Sequence, residues 1–181
     1  PKEGVLGPMN FDSLLTHEQT AWPLTQIILH QVFAWASHPL NQKLKFVFSI
    51  NLPMPVLTKP GFLHEVAAMA RFMGVSPQCI GFEFSQQNEL FTHLEKILQL
   101  RHQGFCCILD GFHSMDDLPS KLSGKLFQQV KLSPDLTRQL ETESAQNCIH
   151  QLLEMTTIED IQVVAVGIET QAQKSCLNSL N

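Results

Sequence analysis

This sequence predicts an α/β fold built on a parallel sheet, and two patterns carry the prediction. Short apolar runs rich in strand formers, such as Phe46-Val47-Phe48-Ser49-Ile50-Asn51 and Phe105-Cys106-Cys107-Ile108-Leu109-Asp110, recur along the chain. Between them lie stretches in which apolar residues return at helical spacing. Strands that alternate with helices form right-handed βαβ units, and such units build parallel sheets.

The elements follow in order. From Pro23 to Ser37, residues Leu24, Ile27, Ile28, Val32 and Trp35 mark a buried helix face, with Pro39 just past its end. A strand follows and ends near Asn51, ahead of the Leu52-Pro53 break. The stretch from Pro60 carries Phe62, Leu63, Val66, Met69, Ala70 and Met73 on one face; it opens with proline and stops at Gly74, as helix ends require. Ile80-Gly81-Phe82-Glu83-Phe84 reads as the second strand, Asn88 to Gln103 as a helix ended by Gly104, and Phe105 to Asp110 as the third strand. Next come a short helical turn near Asp116, a strand from Phe127 to Leu132 and a long helix from about Pro134 to Met155. A strand from Ile161 to Val166 and a helix from Glu169 close the order. The strands show almost no polar alternation, which fits a sheet covered on both faces. No linker or low-complexity segment interrupts them, so residues 1–181 are expected to form one domain.

Composition narrows the function classes. With 181 residues, 44% of them hydrophobic, the chain has material for one sizeable core. Twelve basic residues against 17 acidic ones give a net charge of -5, so nothing draws the chain to nucleic acid or to an anionic membrane. No apolar run approaches the roughly 20 residues that span a bilayer, so no membrane insertion by this domain and a cytoplasmic location are expected. The five cysteines (Cys79, Cys106, Cys107, Cys148, Cys176) form no CxxC pair and suit reduced core thiols. The eight histidines show no HxxxH or HExxH spacing, which argues against a histidine metal site. Pro1 in place of an initiator methionine suggests a piece of a longer polypeptide.

Function in parallel α/β proteins gathers at the carboxyl ends of the strands, where the loops open around a common crevice. Asn51, Glu83, Asp110, Lys131 and Glu169 fall at or just past successive strand ends. An oxygen-rich ring with one ammonium is the chemistry that holds a hard cation and a phosphate. Taken singly, an acid at a strand end is more often a helix cap; five polar residues in series favour a site.

These residues resemble the EAL domain of cyclic di-GMP phosphodiesterases. The resemblance rests on Phe48-Ser49-Ile50-Asn51-Leu52 for the family's V-N-L-S strand, Phe82-Glu83-Phe84-Ser85-Gln86 for E-x-T-E, and Ile108-Leu109-Asp110-Gly111-Phe112 for L-D-D-F-G. It continues in Val130-Lys131-Leu132-Ser133 for K-I-D and in Ala165-Val166-Gly167-Ile168-Glu169-Thr170 for A-E-G-V-E-T, in the family order over essentially the whole chain. It implies a TIM-like (β/α) barrel of the EAL type. Such barrels run to about 250 residues, so the chain is expected to be incomplete at one or both ends, lacking the EAL signature and the last strand.

The resemblance also implies hydrolysis of a phosphodiester with two divalent cations, Mg2+ or Mn2+, held by carboxylates. Asn51, Glu83 and Asp110 match ligand positions, and Lys131 matches the catalytic-site lysine. Gly111 stands for the second aspartate of D-D-F-G, Val166 for the first glutamate of A-E-G-V-E-T, and the EAL glutamate has no counterpart. Gln86 and Ser133 replace further acids, and the loop after D-D-F-G, glycine-rich in the family, reads His113-Ser114-Met115-Asp116-Asp117-Leu118. Asp116 and Asp117 read as helix-capping residues rather than rescuing ligands.

The expectation is therefore a degenerate domain without catalysis and without a required cofactor. Glu83, Lys131 and Glu169 are relic catalytic positions, and Asn51, Glu83 and Asp110 are relic metal ligands. Asn51, Glu83, Asp110 and Lys131 would be the ligand-binding set, paired among themselves as a structural cluster, so that Asp110→Asn weakens the fold. A regulatory role through protein partners, a homodimer or other domains of the same polypeptide is expected, with surface near Met115 and the Trp35 helix in contact. The alternatives are a cyclic di-GMP receptor that does not cleave, whose family arginine and glutamine this chain lacks, and an active phosphodiesterase.

Overall fold

The computed structural model describes residues 15, 17–44, 46–85, 90–118 and 122–180. Helices α1 (Glu18–Ser37) and α2 (Pro39–Leu44) lead into strand β1 (Phe48–Asn51), followed by α3 (Met54–Leu57) and α4 (Phe62–Phe72). Strand β2 (Ile80–Phe84), helix α5 (Leu94–His102), strand β3 (Cys106–Phe112) and strand β4 (Gln129–Leu132) come next. Helices α6 (Pro134–Arg138) and α7 (Glu143–Ile158), strand β5 (Gln162–Ala165) and helix α8 (Gln171–Ser179) complete the order. The strands form one sheet in the order β1-β2-β3-β4-β5, every pair parallel. Sequential order in a parallel sheet is the signature of consecutive βαβ units winding toward a barrel.

The core lies between the sheet and its helices. Phe62 of α4 sits 6.0 Å from Phe82 of β2, and Phe82 sits 5.4 Å from Phe105 beside β3, ring centroid to centroid. Trp22 of α1 closes the stack, edge-on to Phe62 at 6.0 Å. Aromatic pairs in these geometries add to the burial of their area. Gly61, at φ 83, starts α4 in a conformation that other residues adopt only with strain.

Several expectations are corrected. The helix expected at Pro23 begins at Glu18, and its buried face is Ala21, Thr25, Leu29, Val32, Phe33 and Ala36, while Ile27 and Trp35 are each 59% exposed. The long helix from Pro134 to Met155 is two helices, because Gln139–Glu141 turn and Thr142 caps α7 by accepting from the Ala145 N–H. The short helix α3 was not expected, and the helix expected from Asn88 has its α-helical body at Leu94, with Asn88 itself outside the described residues.

The two faces of the sheet also differ. β2 is buried at every residue, but Ser49 and Asn51 of β1 are exposed, as is Gln162 of β5, and Gln129 and Lys131 of β4 are half-buried. These polar residues alternate with buried Ile50, Val130 and Leu132, so one face packs on helices and the other carries the polar groups. On that polar face Gly81 leaves room for its neighbours: a Cβ there would lie 3.0 Å from Ile108 Cδ1 and 3.2 Å from Val47 Cγ1.

A candidate ionic site at the strand ends

Period-two alternation puts Asn51, Glu83, Asp110 and Lys131 on the polar face, near the carboxyl ends of their strands. Asn51 and Glu83 are register partners, and Leu109 partners Val130 one step before Asp110. β3 then bulges: the register passes from Leu109–Val130 to Phe112–Leu132, so Asp110 and Gly111 together oppose Lys131. Gly111 stands at φ 80, the left-handed conformation that a bulge of this kind needs and glycine adopts without strain.

Lys131 and Glu83 are joined directly. Lys131 Nζ donates to Glu83 Oε1 at 2.5 Å, with side chains only 19% and 10% exposed. Such an ion pair is short and only partly screened by water. Asp110 stands beside it: burial first, and then the Glu83 carboxylate, push its pKa up, while Lys131 and the Gly111 N–H pull it down. The net direction is upward, so ionised Asp110 is disfavoured.

The other expected residues stand apart. Asn51 is exposed, and its side chain makes no hydrogen bond among the described residues. Glu169 is exposed beyond β5, where its backbone N–H donates to Gln173 Oε1 at 2.8 Å, and among the described residues nothing ties its carboxylate to Glu83, Asp110 or Lys131. Gln86 lies outside the described residues. The expected four-residue cluster thus contracts to a Glu83–Lys131 pair with Asp110 alongside.

The donors do not fit a pair of divalent cations. Glu83 already has an ammonium on one oxygen, and Gly111 and Val166 bring no side-chain ligand. Among the described residues, no three His, Cys, Asp or Glu side chains converge as a metal group.

The loop after β3 holds a feature that sequence reasoning missed. Asp117 Oδ2 accepts from the N–H groups of His113 and Ser114, at 2.7 and 2.8 Å, so Asp117 caps the turn Met115–Asp117 as expected. His113 Nδ1 also lies 3.2 Å from Ser133 Oγ, and the same Oγ accepts from Leu136 N–H to cap α6. The Ser133-Pro134 pair signals the cap in the sequence, but only the fold brings His113 to it. All five cysteines are free; Cys107 is buried, and burial pushes its thiol far up.

Comparison with known proteins fits this geometry. The model of the EAL domain family matches residues 1–181. The solved structure "PaMucR Phosphodiesterase, c-di-GMP complex" is 18% identical with a TM-score of 0.76, covering 100% of this chain and 75% of that one. The EAL domain of Xanthomonas citri FimX, in complex with c-diGMP, is 14% identical with a TM-score of 0.83, covering 100% and 73%. The EAL enzyme Bd1971 in its cGMP-bound form is 19% identical with a TM-score of 0.83; all of this chain is covered but 52% of that one, so this chain spans about half its length. At such identities the likeness is one of fold. No curated protein matches the sequence.

Proposed function

Because the chain belongs to the EAL domain family, we propose that it is a non-catalytic member with a regulatory role exerted through protein contacts. One observation carries the reading: Lys131 Nζ occupies Glu83 Oε1 at 2.5 Å, in a crevice where Gly111 and Val166 stand at positions the family fills with carboxylates. A cation would have to displace that ammonium and then find too few anionic ligands to balance its charge. On this reading no cofactor is required, and Glu83 and Lys131 hold the strand ends together. Residues 1–181 then act as one unit of a longer signalling protein. Its contacts fall on exposed groups such as Trp35 on α1 and those around Met115, with other domains, a second copy or a separate protein.

A receptor for cyclic di-GMP is the second reading. Two solved structures of like fold are complexes with c-di-GMP, and Lys131 is a cation suited to a phosphate. The pairing with Glu83 opposes it, because a phosphate must compete with a carboxylate already in place. Calorimetric titration with cyclic di-GMP, with and without Mn2+, separates the readings. Weak or no heat in both supports the regulatory reading. Tight metal-free binding lost in Lys131→Ala supports the receptor.

A further inference from the structure

We propose that the outward face of α1 pairs with the same face of a second copy of this chain. The inference rests on the regulatory reading above and names the partner behind its protein contacts. α1 is the longest helix among the described residues, 20 residues and about 30 Å of axis. Its Leu29 and Phe33 side is buried. The opposite stripe, Pro23, Ile27, His30, Gln31, Ala34 and Trp35, is exposed, and Ile27 and Trp35 are each 59% open. A solvated helix face ordinarily carries charged side chains, as α5 and α7 do with exposed Lys96 and Glu154. The α1 stripe holds no Asp, Glu, Lys or Arg, because Glu18 at the first position is the only such residue in the helix.

The distribution of charge selects the partner. The chain has 17 acids and a net charge of -5, yet no acid lies between Glu18 and Glu65, the tract that contains α1. Two molecules that repel overall approach at least cost where neither presents a carboxylate. A twofold contact also brings equivalent side chains together near its axis, where any ion would meet its own like. Ile27, Gln31 and Trp35 lie four residues apart, along one ridge of the helix. An antiparallel pairing centred on Gln31 sets Ile27 of each copy against Trp35 of the other. At the axis the two Gln31 amides meet, and an amide both donates and accepts, so it is compatible with its own copy.

Sedimentation velocity of the 181-residue chain over about 2–200 μM tests the pairing. One helix stripe makes a small interface, on the order of 1,000 Å², so the expected result is a reversible dimer that fills toward the top of the series. Trp35 emission should move to the blue over the same range. Gln31→Glu and Gln31→Lys are both at an exposed position and remove no apolar surface. Each alone sets like charges across the axis and should weaken the dimer at least about tenfold, with circular dichroism unchanged. An equal mixture of the two should pair again. Ile158→Glu, which charges an 83% exposed side chain on α7, should leave association as it is. A chain monomeric throughout, a dimer unmoved in both Gln31 variants, a mixture that fails to pair, or a dimer lost in Ile158→Glu would overturn the proposal. Assay of the same samples for cyclic di-GMP turnover separates this failure from that of the regulatory reading: a monomer without turnover removes the second copy alone, and turnover removes the non-catalytic role.

Discussion

Lys131 on β4 reaches across β3 to Glu83 on β2, Nζ to Oε1 at 2.5 Å, and so ties three strands at their carboxyl ends. Asp110, on the strand bridged, sits beside this pair with its carboxyl raised above the usual aspartate range.

Breaking the pair from one side should be costly. Lys131→Met leaves the Glu83 side chain without its ammonium partner in a poorly solvated place, and a loss of about 2–4 kcal/mol is expected, toward the low side of buried pairs because both groups keep some water. Glu83→Gln with Lys131→Met should recover most of it. Urea denaturation of both single variants and the double variant measures the coupling.

Asp110→Asn should stabilise the protein at neutral pH, which reverses the sign expected from the sequence. A carboxyl raised in the folded state binds its proton more tightly there than in the unfolded chain. Its favourable contribution is present at low pH and is lost as pH rises from the ordinary aspartate value through the raised one. The gain of the Asn variant should therefore be largest above that window and vanish below it, as melting temperatures across a pH series would reveal.

Asp117→Ala removes the acceptor for two backbone N–H groups and should cost about 1–2 kcal/mol. Hydrogen exchange should quicken at His113 and Ser114 first. Uniform quickening over the whole chain instead would contradict a local cap.

Gly124→Ala should be far worse than Gly111→Ala. A Cβ on Gly124 would lie 2.1 Å from the Glu159 carbonyl oxygen, so backbone must move, whereas one on Gly111 meets nothing within 4 Å. At Gly111 the cost is the left-handed conformation alone, about 1–2 kcal/mol. Thermal melts of the two variants check the order.

The sequence carried the architecture because strands and helices alternate in it, and the strand Ile80–Phe84 agrees to the residue. It failed where the tertiary structure overrode local pattern. Ile27 and Trp35 have core chemistry, but α1 turns its Ala21, Leu29 and Phe33 side inward. Covered strands were expected on both faces, yet Ser49, Asn51 and Gln129 show that a polar alternation was present in β1 and β4, written largely in neutral residues. At the site, Glu83, Asp110 and Lys131 were legible from their place at strand ends. Which of them pair was not, because the Asp110–Gly111 bulge and the reach across β3 are properties of register.

Hydrolysis tests the central claim most directly. The chain is incubated with cyclic di-GMP and excess Mn2+, and linear dinucleotide is measured by chromatography against a protein-free blank. No product above the blank is the predicted result, because Gly111 and Val166 bring no side-chain carboxylate to a cation and Glu83 is held by Lys131. Metal-dependent product that disappears in Asp110→Ala would contradict it.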